Sequence, residues 1–106
     1  MRIAVLGTSA VGRAIAGRTA EVGHAVTMGT RDPAATCARD EFAAWYAGHS
    51  NIPLSTFADA AKDADCAVIC TDHKVFDYAS MPARFPSVVD TRNALKGLRA
   101  QNIFRL

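Results

Sequence analysis

A loop at residues 7–12, GTSAVG, has the composition and spacing of a phosphate-binding turn. Dinucleotide-binding loops carry glycine at the first, third and sixth positions, and the third position here is Ser9. Gly7 allows a tight turn, Gly12 allows close helix packing, and the amides of a helix N-terminus attract a pyrophosphate. Ser9 is expected to weaken binding because its Cβ crowds the phosphates, although its hydroxyl can donate a hydrogen bond. The alternative is a well-formed turn without a ligand.

A second candidate site lies at the end of the next apolar segment. NAD sites place an acidic side chain about 20 residues beyond the glycines, where it holds the ribose hydroxyls. This chain has Thr30 and Arg31 there, while the following Asp32 is explained by helix capping. A guanidinium offers a permanent charge and a planar fork of donors suited to phosphate, and the threonine adds a hydroxyl. These residues favour NADP over NAD, whereas the alternative makes Arg31 an ordinary surface charge.

The elements that must position these residues alternate between strand and helix. Residues 2–6 and 66–70 are continuous apolar runs typical of strands buried on both faces of a parallel sheet. Further strands are predicted at 24–29, 53–57, 87–90 and 102–106, and helices at 11–22, 33–48, 58–65, 75–83 and 93–100. This alternation predicts an α/β fold, a single Rossmann-like doubly wound parallel sheet over residues 1–106 with helices on both faces. Its ligand crevice would lie at the carboxyl ends of the central strands.

For two of the predicted helices, the sequence also indicates a packed face or a helix end. In the first, the larger apolar side chains recur at Val11, Ile15 and Val22, so these are expected to pack, and Gly23 can end the helix. The second, over residues 33–48, follows a capping aspartate and has proline in its first turn.

Composition restricts the class of protein. The chain has 106 residues, half of them hydrophobic, which suits one compact domain. Its net charge is +2 and its basic residues are scattered, so neither a nucleic-acid nor a membrane surface is expected. No signal-peptide pattern or membrane-length apolar run is present, which predicts a cytoplasmic protein. Three cysteines without CxxC spacing indicate neither a disulfide framework nor a zinc site.

Candidate catalytic residues are few. Asp72 and His73 follow the fourth predicted strand and could form an acid–base pair facing the phosphate loop. We find no nucleophile, metal cluster or substrate lid in the sequence, and we therefore predict no catalytic residue. The aromatic residues Trp45 and Tyr46 are expected to pack rather than to stack on a ligand.

The stretch MRIAVLGTSAVGRAIAGRTAEVGHAVTMGTRDPAAT resembles the NADP-binding half of the deazaflavin-dependent NADP oxidoreductases, a resemblance that covers residues 1–65. In that family a glycine occupies the position of Ser9, and the Thr-Arg pair that matches Thr30 and Arg31 binds the 2′-phosphate. The resemblance implies cofactor contacts at the matching positions, which are Gly7, Thr8, Gly12, Thr30 and Arg31.

The stretch DADCAVICTDHKVFDYASMPARFPSVVDTRNALKG is similar to the C-terminal UDP-binding domain of UDP-sugar dehydrogenases, over residues 64–106. The resemblance is most specific in the segments TDH, FDY and VVDTRNALK. This resemblance implies nucleotide contacts at Arg92 and Asn93. The catalytic cysteine and lysine of that family have no counterpart here. We therefore assign no catalytic role to the cysteines and lysines of this half.

Two resemblances in one short chain predict a recombined or engineered protein with a seam at residues 58–66. We expect an NADP-preferring dinucleotide-binding domain without a complete catalytic apparatus, since the chain stops before any domain that would position a hydride acceptor. The alternatives are a ligand-free chimera made to test the fold, a UDP-nucleotide-binding module, a natural relative of the first family, and a reductase completed by dimerisation.

Overall fold

A computed structural model describes residues 1–62, 64–71, 81–92, 95 and 101–105. The strands are β1 (Arg2–Leu6), β2 (Ala25–Thr30), β3 (Leu54–Thr56), β4 (Cys66–Ile69), β5 (Ser87–Asp90) and β6 (Ile103–Arg105). The helices among these residues are α1 (Ala10–Glu21), α2 (Pro33–Cys37), α3 (Asp40–Tyr46), α4 (Phe57–Ala61) and α5 (Met81–Arg84).

All strand pairs are parallel, and the order across the sheet is β3-β2-β1-β4-β5-β6. The chain builds outward from β1 to β3, then returns to add β4 on the other side of β1. This order confirms the predicted Rossmann-like doubly wound sheet. The reversal between β1 and β4 opens the crevice at their carboxyl ends.

Side chains of the central strands alternate between two apolar layers. Ile3 and Val5 of β1 join a core cluster with Ala16 of α1 and Phe42 of α3. Ala4 and Leu6 point the other way, into a cluster with Ala60 of α4 and Met81 of α5. Because successive strand residues face opposite sides, a strand covered on both sides reads as a continuous apolar run. The predicted helices on both faces are confirmed.

The prediction for the packed face of α1 was right for Ile15, which is partly buried against the core cluster, and wrong for Val11 and Val22. Val11 and Val22 are each 54% exposed, whereas Gly12 and Ala16 are the buried residues of this helix. At Gly12 a small residue is needed because α1 approaches the Gly7 carbonyl, just beyond β1, too closely for a side chain. The end of the helix, just before Gly23, is as expected.

The single helix predicted over residues 33–48 is two helices, α2 and α3. Asp32 caps α2 as predicted, since its Oδ1 accepts a hydrogen bond of 3.2 Å from the Ala35 amide. The break comes at Arg39, whose φ of −77° and ψ of 129° are extended, and which is the N-cap of α3. The turn lets α3 bury Phe42 while Arg39 reaches the phosphate loop.

The C-terminal strand pairs within the chain, because Ile103 and Phe104 lie opposite Val88 and Val89 of β5. The sequence had left that pairing open. The helix predicted at 58–65 is the shorter α4. Of the helix predicted at 75–83, residues 75–80 lie outside the described residues, and α5 begins at Met81. The predicted helix at 93–100 lies outside the described residues except for residue 95. None of the helices in the described part of the chain has the length and apolar content to cross a bilayer.

Candidate functional site

The phosphate loop leaves the carboxyl end of β1 through Gly7. Its φ of +135° is a conformation that residues with a side chain rarely adopt. A Cβ on Gly7 would also lie 3.2 Å from the carbonyl carbon of Cys70. The Gly7 amide donates a hydrogen bond of 3.0 Å to the Gly29 carbonyl at the end of β2. Gly7 therefore makes the tight turn that its position predicted.

Gly12 brings α1 against that turn. A Cβ built on Gly12 would lie 2.5 Å from the carbonyl oxygen of Gly7, closer than real Cβ atoms come to other atoms. Glycine is required here by the contact between helix and loop. The close approach places the first turn of α1 directly above the end of β1.

Ser9 is the N-cap of α1, with an extended φ of −68° and ψ of 176° that any residue adopts. Its exposed side chain makes no capping hydrogen bond, in contrast to Asp32 on α2 and Thr56 on α4. The first amides of α1 have no intrahelical acceptor, and no described side chain caps them. They are available to an acceptor in the crevice, such as a phosphate oxygen.

Thr30 ends β2 beside this loop, but its hydroxyl is already engaged. Thr30 is 7% exposed and Thr36 of α2 is 5% exposed. Their Oγ1 atoms are 2.7 Å apart and share a hydrogen bond. The pair connects β2 to α2 inside the protein, so the predicted phosphate contact of the Thr30 hydroxyl has a competing structural role.

Arg31 is exposed and borders the phosphate loop. It lines a groove of about 280 Å³ together with Gly7, Thr8, Ser9 and Thr30. Within the described part of the chain, its guanidinium contacts neither a carboxylate nor a hydrogen-bond acceptor. The structure thus brings five of the six predicted cofactor residues to one groove, while the sixth, Gly12, supports the loop from behind.

Arg39 also lines this groove, and sequence reasoning missed it. Its Nη2 donates a hydrogen bond of 2.8 Å to Thr8 Oγ1 and lies 3.5 Å from the Thr8 carbonyl oxygen. Nothing in the sequence indicated this contact, because it depends on the helix break that turns Arg39 toward the loop.

Arg13 of α1 makes a second connection between the loop and α3. Its Nη1 donates to the Glu41 carbonyl at 3.1 Å, and its Nε lies 3.4 Å from the Ser9 carbonyl oxygen. The start of α3 is therefore held against the phosphate loop by two arginines.

A more apolar groove of about 360 Å³ adjoins the first and shares Thr30, Arg31 and Phe57 with it. Its further walls include Leu6 of β1 and Phe85 beyond α5. Adjoining polar and apolar grooves match the two kinds of surface that a nucleotide presents, its phosphates and its base.

In the second half, the candidate residue Arg92 follows β5 and is exposed. Its amide donates a hydrogen bond of 3.1 Å to Oδ1 of Asp90, and the Leu95 amide donates one of 2.8 Å to Oδ2. Asp90 is only 1% exposed, so its carboxylate organises the turn after β5. The other residues considered in this half, Asn93, Asp72, His73, Lys74 and Lys96, lie outside the described residues.

The buried cysteines have environments that disfavour nucleophilic chemistry. Burial raises the pKa of the Cys66 thiol, and it raises the pKa of Cys70 despite a hydrogen bond with Thr91 that acts the other way. Only a thiolate is strongly nucleophilic. Among the described residues, no group of three or more His, Cys, Asp and Glu side chains could hold a metal ion.

The aromatic side chains of α3 pack as predicted. Trp45 stacks on His49 with ring centroids 4.2 Å apart, and the Tyr46 hydroxyl donates to the Ile52 carbonyl at 2.6 Å. His49 Nδ1 lies 2.8 Å from the Trp45 carbonyl oxygen, which gives this histidine a structural role.

The fold and these grooves define a nucleotide-binding domain of the Rossmann-like class. The profile of the UDP-glucose/GDP-mannose dehydrogenase family, UDP binding domain, matches residues 18–97, and the chain belongs to this family. The match begins at residue 18, well before the resemblance at 64–106, and it spans the predicted seam at 58–66.

Two solved structures share the fold. One is a chain provisionally assigned as an F420-dependent NADP reductase from Arthrobacter sp. FB24, which is 42% identical with a TM-score of 0.68 over 85% of this chain and 44% of that one. The other is a diketoreductase described for substrate-directed dual catalysis of dicarbonyl compounds. It is 23% identical with a TM-score of 0.69 over 100% of this chain and 49% of that one, which shows the fold alone.

This chain therefore spans less than half the length of both proteins. No curated protein sequence matches it. The recombined origin stays a prediction that these likenesses leave open.

Proposed function

We propose that this domain binds NADP in preference to NAD and contributes nucleotide binding without a complete catalytic apparatus. The observation that carries the proposal is Arg31, an exposed guanidinium without a partner among the described residues, on the same groove as the phosphate loop. A 2′-phosphate is the group that distinguishes NADP from NAD, and an arginine at the end of β2 suits it.

The residues present fit the other parts of a dinucleotide as well. The uncapped first turn of α1 offers amides and a partial positive charge to the pyrophosphate. The two adjoining grooves measure about 280 and 360 Å³. Small-molecule sites typically measure roughly 300–1,000 Å³. Ser9 is the one departure, because its Cβ stands where the phosphates would approach.

The likeness to a chain described as an NADP reductase supports the choice of cofactor, since it reaches 42% identity over 85% of this chain. Bound NADP would supply hydride chemistry, and this chain would bind and orient it. Because this chain spans 44% of that reductase, we propose that hydride transfer needs residues beyond those of this chain.

The test is the affinity of wild-type and Arg31→Ala protein for NADP and NAD, measured by calorimetry and by ligand-induced shifts in thermal unfolding. Loss of a charge-assisted contact costs about 1.5–3 kcal/mol. The NADP dissociation constant should therefore rise roughly tenfold to a hundredfold, while the NAD constant changes little. Arg18→Ala is the matched control, because Arg18 is an exposed arginine of α1 that pairs with Glu21.

Equal losses for NADP and NAD in Arg31→Ala would show that Arg31 does not bind the 2′-phosphate. A wild-type protein that binds NADP no better than NAD would contradict the proposed preference itself. A similar loss of NADP affinity in Arg18→Ala would show that the effect of Arg31→Ala comes from the change in net charge.

A second candidate is a uridine-nucleotide site, which the family match over residues 18–97 favours. Arg92 is the described residue of the C-terminal half that would contact the nucleotide, and its side chain is exposed after β5. This candidate predicts that UDP raises the unfolding temperature, that Arg92→Ala reduces the shift, and that Arg31→Ala leaves it unchanged.

A further inference from the structure

We propose that Arg39 is the second arginine of the 2′-phosphate site and shares NADP selection with Arg31. This inference rests on the proposed function and adds a residue to the same groove. It starts from the hydrogen bond between Arg39 Nη2 and Thr8 Oγ1, at 2.8 Å. That contact holds the guanidinium on the phosphate loop, on the groove that Arg31 also lines.

The contacts of Arg39 leave most of its donors free. Both of them use Nη2, which lies 2.8 Å from Thr8 Oγ1 and 3.5 Å from the Thr8 carbonyl oxygen. A guanidinium carries five N–H donors in a rigid planar fork. The donors of Nε and Nη1 have no acceptor among the described residues, and no described carboxylate pairs with Arg39.

The charge of the ligand calls for a second cation. A phosphate monoester carries a charge of about −1.5 to −2 at neutral pH. Arg31 alone would leave part of that charge unmatched, and the Thr30 hydroxyl is already bonded to Thr36. Arg39 brings the second positive charge to the same groove.

The backbone holds Arg39 in place before any ligand arrives. Its amide donates to the Thr36 carbonyl at 3.1 Å, and its carbonyl accepts from the Ala43 amide at 2.9 Å. Arg13 ties the next turn to the loop through the Glu41 carbonyl. A side chain positioned in this way loses less conformational entropy on binding than a free surface arginine.

The competing explanation is that Arg39 has only a structural role, a fastening role that holds α3 against the phosphate loop. A fastening role would affect both dinucleotides alike, because both use the loop, and it would lower the stability of the unliganded protein. A phosphate-binding role affects NADP selectively. The ratio of the NADP and NAD dissociation constants therefore separates the two explanations.

The experiment measures that ratio by calorimetry for wild-type, Arg39→Ala and Arg39→Lys, with Arg18→Ala as the control. We expect Arg39→Ala to weaken NADP about tenfold to a hundredfold and NAD less than about threefold. Arg39→Lys keeps the charge without the planar fork and should restore part of the preference. Adenosine 2′,5′-bisphosphate and 5′-AMP, compared in the same way, isolate the 2′-phosphate from the rest of the cofactor.

The outcomes separate this inference from the proposal on which it rests. A wild-type protein without NADP preference overturns the proposed function, and with it the role of Arg39. A wild-type preference that survives unchanged in Arg39→Ala, or equal losses for NADP and NAD in that variant, overturns the role of Arg39 alone. A selective loss in Arg39→Ala that Arg18→Ala does not share supports the inference.

Discussion

Replacing Gly12 with alanine tests whether the contact between α1 and the phosphate loop is as close as the structure has it. The added Cβ would lie 2.5 Å from the Gly7 carbonyl oxygen and 3.1 Å from its carbon. An ordinary C···O contact is about 3.3 Å or longer. The start of α1 must therefore move away from the loop by most of an ångström, because both atoms belong to the backbone.

The cost follows from two opposing effects. Overpacking costs about 1–3 kcal/mol, and the upper end applies here because no flexible side chain can yield. Alanine is a better helix former than glycine by about 1 kcal/mol. The expected net loss of unfolding free energy is about 2 kcal/mol, equivalent to a fall of roughly 8–16 °C in Tm for a domain of this size.

Urea unfolding of Gly12→Ala and Gly17→Ala, both in α1, measures this loss against a matched control. A Cβ on Gly17 would lie 3.3 Å from His49 Nε2, which is the end of a side chain. The His49 ring, which stacks on Trp45, must shift by a few tenths of an ångström, and this offsets the helix gain of about 1 kcal/mol, so Gly17→Ala should stay within about 1 kcal/mol of the wild type. The reasoning is refuted if Gly12→Ala is as stable as the wild type, or if Gly17→Ala loses as much stability as Gly12→Ala.

Three further outcomes are expected. Ser9→Gly should lower the NADP dissociation constant by removing the Cβ beside the phosphates, and little stability should be lost because the Ser9 side chain makes no capping hydrogen bond. An unchanged constant would mean that the loop does not hold the phosphates or that the Ser9 hydroxyl compensates for its Cβ. Thr36→Val should cost about 1–3 kcal/mol because it leaves the buried Thr30 hydroxyl without its partner, and the double variant with Thr30→Val should recover much of that loss. The unfolding free energy should fall as the pH rises above about 8.5, the pKa of an unfolded thiol, because the folded chain holds the protons of Cys66 and Cys70 more tightly. Cysteine-to-alanine variants that keep the full alkaline slope would assign it to other groups.

Much of the fold could be predicted from local patterns. The apolar runs at β1 and β4 identified strands buried on both faces, and their alternation with helices predicted the doubly wound parallel sheet that the structure has. Asp32 capped its helix as expected, because capping depends only on residues close in sequence. The packed face of α1 was predicted only in part: Ile15 packs against the core, whereas Val11 and Val22 are exposed and the closest contact of the helix required Gly12.

The residues of the candidate site also divide into those that the sequence predicted and those that only tertiary contacts determine. The sequence by itself determined the loop at residues 7–12 and the position of Arg31 at the end of β2, because the fold brings these two segments to one edge of the sheet. Only the tertiary structure decided that the Thr30 hydroxyl is bonded to Thr36 and that Arg39 reaches Thr8. The first contact depends on how α2 packs beside the end of β2, and the second on where the chain turns between α2 and α3. Phe42 is fully buried in the core just beyond that turn, a long-range contact that the pattern of neighbouring residues does not predict.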